Sequence, residues 1–337
     1  MQIGKFNLDQ DILVIAEIGN NHEGDFDRAG QMIHAAAQAG AGAVKFQTIV
    51  PEKLVAVSEE KRIQQLERFR FSYDQYAQLA RIAEEQGVMF LSTPFDLESV
   101  RALTPMVPAF KIASSDNDFY PLLEAVAATG KPLIFSTGLA DLEQISKTES
   151  FIDGVWRKNK INQEMAILHC VTSYPTKPED ANLRAIQTLR EEFGGTVGYS
   201  DHTMGIQAAL TAVALGARII EKHFTLDKNL SDFRDHQLSA DPEDLKQLVQ
   251  LVKEVQITLG DGSLNPRQSE MDIVHQVRRS IVAGRDLDAG QQLTPEDISW
   301  VRPGGGLAPG SEGQILGKKL TKAVGKGERI LAEYLQD

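Results

Sequence analysis

The chain has 337 residues, more than one ordinary domain, and its 42% hydrophobic and 7% aromatic content excludes a disordered chain. A formal charge of −12 argues against general binding to nucleic acid or an anionic membrane, though a local basic pocket for a small anion remains compatible with it. The one cysteine, Cys170, excludes an internal disulfide and suits a reducing compartment. The first apolar run, in MQIGKFNLDQDILVIAEIG, is too short and interrupted for a signal or membrane segment, so a cytoplasmic protein is expected.

Eight strand-helix cycles follow in order. ILVIAEIG is the first strand, running into EIGNNHEG, with a helix over 27–39. AVKFQT is the second, followed by a charged insertion, PEKLVAVSEEKRIQQLERFR, and the helix SYDQYAQLARIAEEQG. VMFLSTPF, AFKIASSD and PLIFSTG are strands three to five; helices are expected over 96–103, at LLEAVAATG with Gly130 as its C-cap, and after Asp141. MAILHCVTSYP is strand six, before a helix in ANLRAIQTLREEFG. GTVGYSDHT and ARIIEKHFT are strands seven and eight, joined by the small apolar helix MGIQAALTAVALG. A last helix over 242–259 opens at the capping signal SADPED.

Apolar strand runs separated by helices predict a parallel sheet covered by helices. Eight cycles favour a closed (β/α)8 TIM barrel of about 250 residues. No glycine-rich dinucleotide fingerprint follows the first strand, which counts against an open doubly wound sheet. Three segments are expected: a barrel domain over 1–262, a polar linker over 263–277, and a small module over 278–337. In that module RSIVAGRDLDAGQQL and KAVGKGERI read as hairpins; LTPEDI opens a short helix capped by Thr294, and GSEGQILGKKL reads as another.

Reactive groups collect at the strand ends, where barrel enzymes keep their chemistry. His202 and His223 close consecutive strands and should project together from one sheet edge. Two imidazoles beside Asp201 and Glu221 suit a divalent metal with open coordination positions; two core histidines are the plainer alternative. Lys45 and Lys111 emerge on strands two and four, near the hydroxyls of Thr93, Ser114, Ser136 and Ser200. That set suits a phosphate or carboxylate, while a Schiff-base lysine or pairing with Glu17 or Glu221 are the alternatives. His169, which adjoins Cys170 inside an apolar strand, reads as core; His34 and His275 read as solvated.

The ordered set AEIGNNHEGD, KFQT, STPFD, FKIASSD, FSTG, YPT, YSDHT and EKHFT resembles the sialic acid synthase family. RRSIVAGRDLDAGQQLTPEDI and VRPGGG resemble its antifreeze-like (SAF) domain. The resemblance implies condensation of phosphoenolpyruvate with an N-acyl hexosamine, such as N-acetylmannosamine, to give a nine-carbon (nonulosonic) keto acid and phosphate. It assigns phosphoenolpyruvate to Lys45, Lys111, Thr93, Ser114, Ser136 and Ser200, and Mn2+, with Mg2+ or Co2+ as alternatives, to His202 and His223. Glu17, Gln47, Tyr174 and Asp235 would surround the sugar, Glu17 also handling a proton, and Arg302 would reach its N-acyl end from the other subunit of a domain-swapped homodimer. Thr172 stands where relatives acting on N-acetylmannosamine often have Asn, and SDFRDHQLS lacks their Gly-Pro before the matched Asp235. Both departures fall near the sugar and admit a bacillosamine-derived acceptor. The remaining alternatives are a phosphorylated acceptor, with Arg234 as its partner, and a non-catalytic sugar-binding protein.

Overall fold

The computed structural model describes residues 1–336 and divides into two compact units, Met1–Gly260 and Asp261–Asp337. In the first, eight parallel strands alternate with helices: β1 Leu13–Gly19, β2 Ala43–Thr48, β3 Met89–Pro94, β4 Phe110–Ile112, β5 Leu133–Ser136, β6 Met165–Cys170, β7 Thr196–Asp201 and β8 Ile219–His223. The expected (β/α)8 TIM barrel is therefore present. Its ladder runs β3-β2-β1-β8-β7-β6-β5-β4. β3 and β4 lie side by side at the closing seam, where no ladder bonds form among the described residues.

Eight principal helices cover the outside: α1 Phe26–Gln38, α2 Tyr73–Glu85, α3 Leu97–Leu103, α4 Tyr120–Ala127, α5 Leu142–Asn159, α6 Ala185–Phe193, α7 Gln207–Ala214 and α8 Pro242–Leu259. Side-chain caps start several of them where the sequence offers Asp or Ser. Asp25 accepts from Arg28 N, Asp96 from Glu98 N and Ser99 N, Asp141 from Gln144 N, and Asp241 from Glu243 N and Asp244 N. Ser72 and Gln75 form a reciprocal capping box at α2. The charged insertion after β2 forms two short helices, Pro51–Leu54 and Glu60–Glu67.

Strand alternation divides the core into two layers. Outward residues such as Val14, Ala16, Val44, Phe46, Phe135 and Ile220 pack under the helices. Inward residues Leu13, Ile15, Ala43, Leu91, Ala109, Ile134, Ala166, Leu168 and Ile219 fill the lower barrel. An N-terminal ribbon pairing Gln2–Ile3 with Phe6–Asn7 adds Met1, Ile3 and Leu8 to this interior cluster.

In the second unit, Ser280–Ala283 pairs antiparallel with Ile298–Val301, and Lys319–Leu320 with Leu335–Gln336. This corrects both expected hairpins. The segment after Ala283 turns away, so Leu287 bridges Val324 and Val282 bridges Arg329. The two stretches read as separate hairpins therefore pair with each other. Each expected short helix is one 3-10 turn, Pro295–Asp297 and Glu312–Gln314. Ile281, Leu287, Leu293, Ile298, Ile315, Leu320, Val324 and Ile330 make a separate apolar core.

Gly198 sits opposite Ile219 in the β7–β8 ladder, in the packed lower layer. A Cβ there would lie 2.6 Å from Ile219 O and 2.9 Å from Ile219 Cβ. Gly198→Ala is expected to force the two strands apart and lower stability by about 1–3 kcal/mol, read from the denaturant midpoint. An unchanged midpoint would show that this contact does not set their spacing.

Candidate active site

Moving up the barrel, the inward column changes from apolar to polar. Leu13 and Ile15 give way to Glu17, Ala43 to Lys45 and Gln47, Leu91 to Thr93, Ala109 to Lys111, Ile134 to Ser136, and Ile219 to Glu221 and His223. The result is a cavity of about 200 Å³ at the C-terminal strand ends. It is lined by Glu17, Lys45, Gln47, Thr93, Lys111, Ser114, Ser136, Thr172, Tyr174, Ser200, His202, His223 and Asp235. These are all the site residues predicted from sequence except Arg302, which is exposed in the second unit.

Four buried charges alternate in sign at its floor. Lys45 Nζ lies 2.7 Å from Glu17 Oε2 and 3.7 Å from Glu221 Oε2, and Lys111 Nζ lies 3.7 Å from Glu221 Oε1. Lys45 also donates to Thr93 Oγ1 at 3.3 Å, Gln47 Nε2 to Glu17 Oε1 at 3.0 Å, and Ser200 Oγ to Glu221 Oε1 at 3.0 Å. The two lysines thus pair with the two carboxylates, the pairing alternative weighed from sequence.

Their protonation follows from burial set against these neighbours. Burial pushes the Glu17 carboxyl above the usual range against the pull of Lys45. For Glu221 burial is outweighed by Lys111 and Lys45, which hold it below that range. Lys45 is held above the ordinary lysine value because Glu17 and Glu221 outweigh its burial. Lys111 is lowered, chiefly by burial, with Lys45 adding to it.

A small cradle adjoins the lysines. Gly138 N donates to Ser114 Oγ at 3.1 Å, and a Cβ on Gly138 would come within 2.3 Å of Thr172 Oγ1 and 2.7 Å of Ser114 Oγ. Ser136 Oγ and Glu221 Oε2 are buried without a hydrogen-bond partner among the described residues. Hydroxyls, a close backbone approach and two lysines form a donor set that fits a small anion carrying more than one charge.

His202 and His223 face each other with ring centroids 5.3 Å apart, and Tyr174 packs against them at 4.1 and 5.9 Å. Nδ1 of His202 is 2.9 Å from Val171 O, an orientation that leaves Nε2 for another partner. Burial holds His223 neutral, well below the usual imidazole value; for His202 burial is outweighed by Cys170 and Val171 O. No group of three or more His, Cys, Asp or Glu converges to hold a metal among the described residues. The donor set present is two imidazoles, with Glu221 Oε2 nearby, ion-paired to Lys45 but without a hydrogen bond among the described residues; it fits a divalent ion that keeps several positions open to substrate.

Asp201 does not join them, contrary to the sequence expectation. It points outward between strands and helices, where Lys222 Nζ binds its Oδ2 at 3.0 Å. Cys170, not among the expected site residues, also lines the cavity; its position two residues beyond the inward Leu168 is the signal that places it there. Its neighbour His169 points the other way and lies 2.8 Å from Ala181 O, as a core residue should. Phe95, Ala113, Ser115 and Arg234 complete the wall. Arg234 is exposed at the mouth, 4.9 Å over the Tyr174 ring and 3.3 Å from Asp235.

A barrel with its ionisable groups gathered on the C-terminal rim defines an enzyme by position and chemistry. A model of the NeuB family matches residues 32–264 and a SAF domain model residues 278–336. The chain belongs to the NeuB family and is a transferase of the synthase type. It is 45% identical over 308 residues to an uncharacterised protein of Methanocaldococcus jannaschii, covering 91% of this chain and 89% of that one. It is 38% identical over 339 residues to the N,N'-diacetyllegionaminic acid synthase of Legionella pneumophila, covering 96% and 94%. The crystal structure of the N-acetylneuraminic acid synthetase of Leptospira borgpetersenii, 36% identical, aligns with a TM-score of 0.75 over 81% of this chain and 94% of that one.

His22 lies beyond the β1 end, buried and stacked on Phe71 at 4.4 Å, and accepts from Gly24 N at 3.0 Å. Burial, reinforced by Arg28, lowers its pKa to about 3. The unfolded chain takes up this proton near pH 6.5 and the folded chain does not, so stability falls as pH drops from about 6.5 toward 3. Between pH 7 and 4.5 the native protein should lose about 2–3 kcal/mol more than a His22→Phe variant, measured by urea unfolding. Parallel losses in the two proteins would rule out His22 as the source.

Proposed function

We propose that this enzyme condenses phosphoenolpyruvate with an N-acyl hexosamine, N-acetylmannosamine or a bacillosamine-derived relative, and water, giving a nine-carbon keto acid and phosphate. The observation that carries this reading is the single cavity in which an anion cradle and two imidazoles meet. The 38% identity to a protein named as a diacetyllegionaminic acid synthase supports a di-N-acylated acceptor. Arg234, exposed at the cavity mouth, is compatible with that choice.

Lys45 and Lys111 would hold the phosphate and carboxylate of phosphoenolpyruvate, with Thr93, Ser114, Ser136 and Ser200 aiming hydroxyls at their oxygens. Mn2+ held by His202 and His223 would supply Lewis acidity to the acceptor's aldehyde oxygen. Glu17, raised by burial, would hold or pass a proton beside that carbonyl. Gln47, Tyr174 and Asp235 would orient the sugar. With both reactants fixed, placement and preorganised charge would supply much of the acceleration. Arg302 would close the acceptor end from the partner of a domain-swapped homodimer. We place the reaction in the cytoplasm, where phosphoenolpyruvate is available.

A second reading, a phosphorylated acceptor, draws on one observation: the exposed Arg234 guanidinium at the cavity mouth. The deciding assay supplies phosphoenolpyruvate, Mn2+ and free or phosphorylated hexosamines in oxygen-18 water. Phosphate release with a free di-N-acyl hexosamine, and label in the keto acid but not in phosphate, is expected. Turnover with phosphorylated acceptors alone would favour the second reading, and label in phosphate would show P–O cleavage and sink the proposal that water adds at C2 of phosphoenolpyruvate with loss of phosphate by C–O cleavage.

The exchanged-tail dimer has its own test. His202→Ala and Arg302→Ala chains should each be nearly inactive, yet mixing them after dissociation should restore activity, because one hybrid site is intact. No recovery in verified hybrid dimers would place Arg302 elsewhere.

A further inference from the structure

Directly behind the two imidazoles, on the outer face of the strands, lies an ion pair the proposed chemistry does not use. Lys222 and Asp201 are paired residues of the β8–β7 ladder, and both are fully buried. Lys222 Nζ donates to Asp201 Oδ2 at 3.0 Å and to Thr203 O at 2.5 Å. Asp201 Oδ1 accepts from both N and Oγ1 of Thr203 at 2.8 Å. This closed network holds the residues on either side of His202 and the residue preceding His223. A buried pair pays desolvation that an apolar pair of similar volume avoids, so its net gift to stability is small. What it does fix is the offset between two strand ends, and those ends carry the imidazoles.

We infer that Lys222 and Asp201 are positioning residues that hold His202 and His223 in register for one divalent cation. The inference rests on the proposed reading of those histidines as the cation's ligands. Neither Lys222 nor Asp201 reaches the cavity, so they act through strand geometry alone. Supporting groups of this kind orient ligands, and losing them typically weakens metal affinity about 10–100-fold.

The test titrates the full chain with MnCl2, following bound Mn2+ by calorimetry and by loss of the free-ion EPR signal. Lys222→Met strands a buried carboxylate and should melt well below the native protein. The double variant Asp201→Asn, Lys222→Met keeps an acceptor for Thr203 and removes both charges. It should recover a melting temperature near native while its Mn2+ dissociation constant rises about 10–100-fold. Native affinity in that well-folded double variant would overturn the positioning role alone. A native protein that binds no Mn2+, or a His202→Ala variant that binds it undiminished, would overturn the ligand reading and this inference with it.

Discussion

Four charges buried side by side, Glu17, Lys45, Glu221 and Lys111, are the constraint the rest of the barrel answers to. Any one of them alone in a packed interior would be untenable, since an isolated buried charge neutralises itself or unfolds its surroundings. Together they alternate in sign and cancel. Lys45, between two carboxylates, stays a cation; Glu221, between two ammonium groups, stays an anion. The outer members, Glu17 and Lys111, feel less compensation and shift toward neutrality. A multiply charged anion bound as proposed would redistribute these contacts, accepting lysine N–H hydrogen bonds now made to the carboxylates.

The scaffold delivers this cluster through strand parity. The inward positions below it are filled mainly by Leu, Ile and Ala, with Gly198 and Met89 among them, and the ribbon at the N-terminal end adds Ile3 and Leu8 to the same layer. The charges stand on that packed floor, on strands β1, β2, β4 and β8 of the barrel. Register does the remaining placement: His223 lies opposite Glu17, Glu17 opposite Lys45, and Glu221 opposite Ser200. A slip of one residue in any of these ladders would turn a cavity group into the helix layer.

Much of this was legible because each strand is a short apolar run that stops abruptly at polar residues. Lys45, Lys111, His202 and His223 declare themselves by position in such runs. Where reading failed, parity or distance explains it. Asp201 sits beside His202 in sequence, yet alternation sends it to the opposite face. Cys170 hides in an apolar strand, but shares its column with Leu168 and so faces the cavity. The tail strands were misassigned because their partners lie many residues away, and a turn-rich sequence marks turns without stating which segments meet. Arg302 carries no local signal for what it faces.

The cavity is made in two storeys. Its floor is strand residues locked by mutual charge and packing, while its mouth is built from Tyr174, Arg234 and Asp235 on segments after β6 and β8. None of these mouth residues is ion-paired with a floor charge among the described residues. On the proposed function, a lineage could exchange one sugar for another through a few loop codons, with the half that would hold the enol phosphate inherited intact.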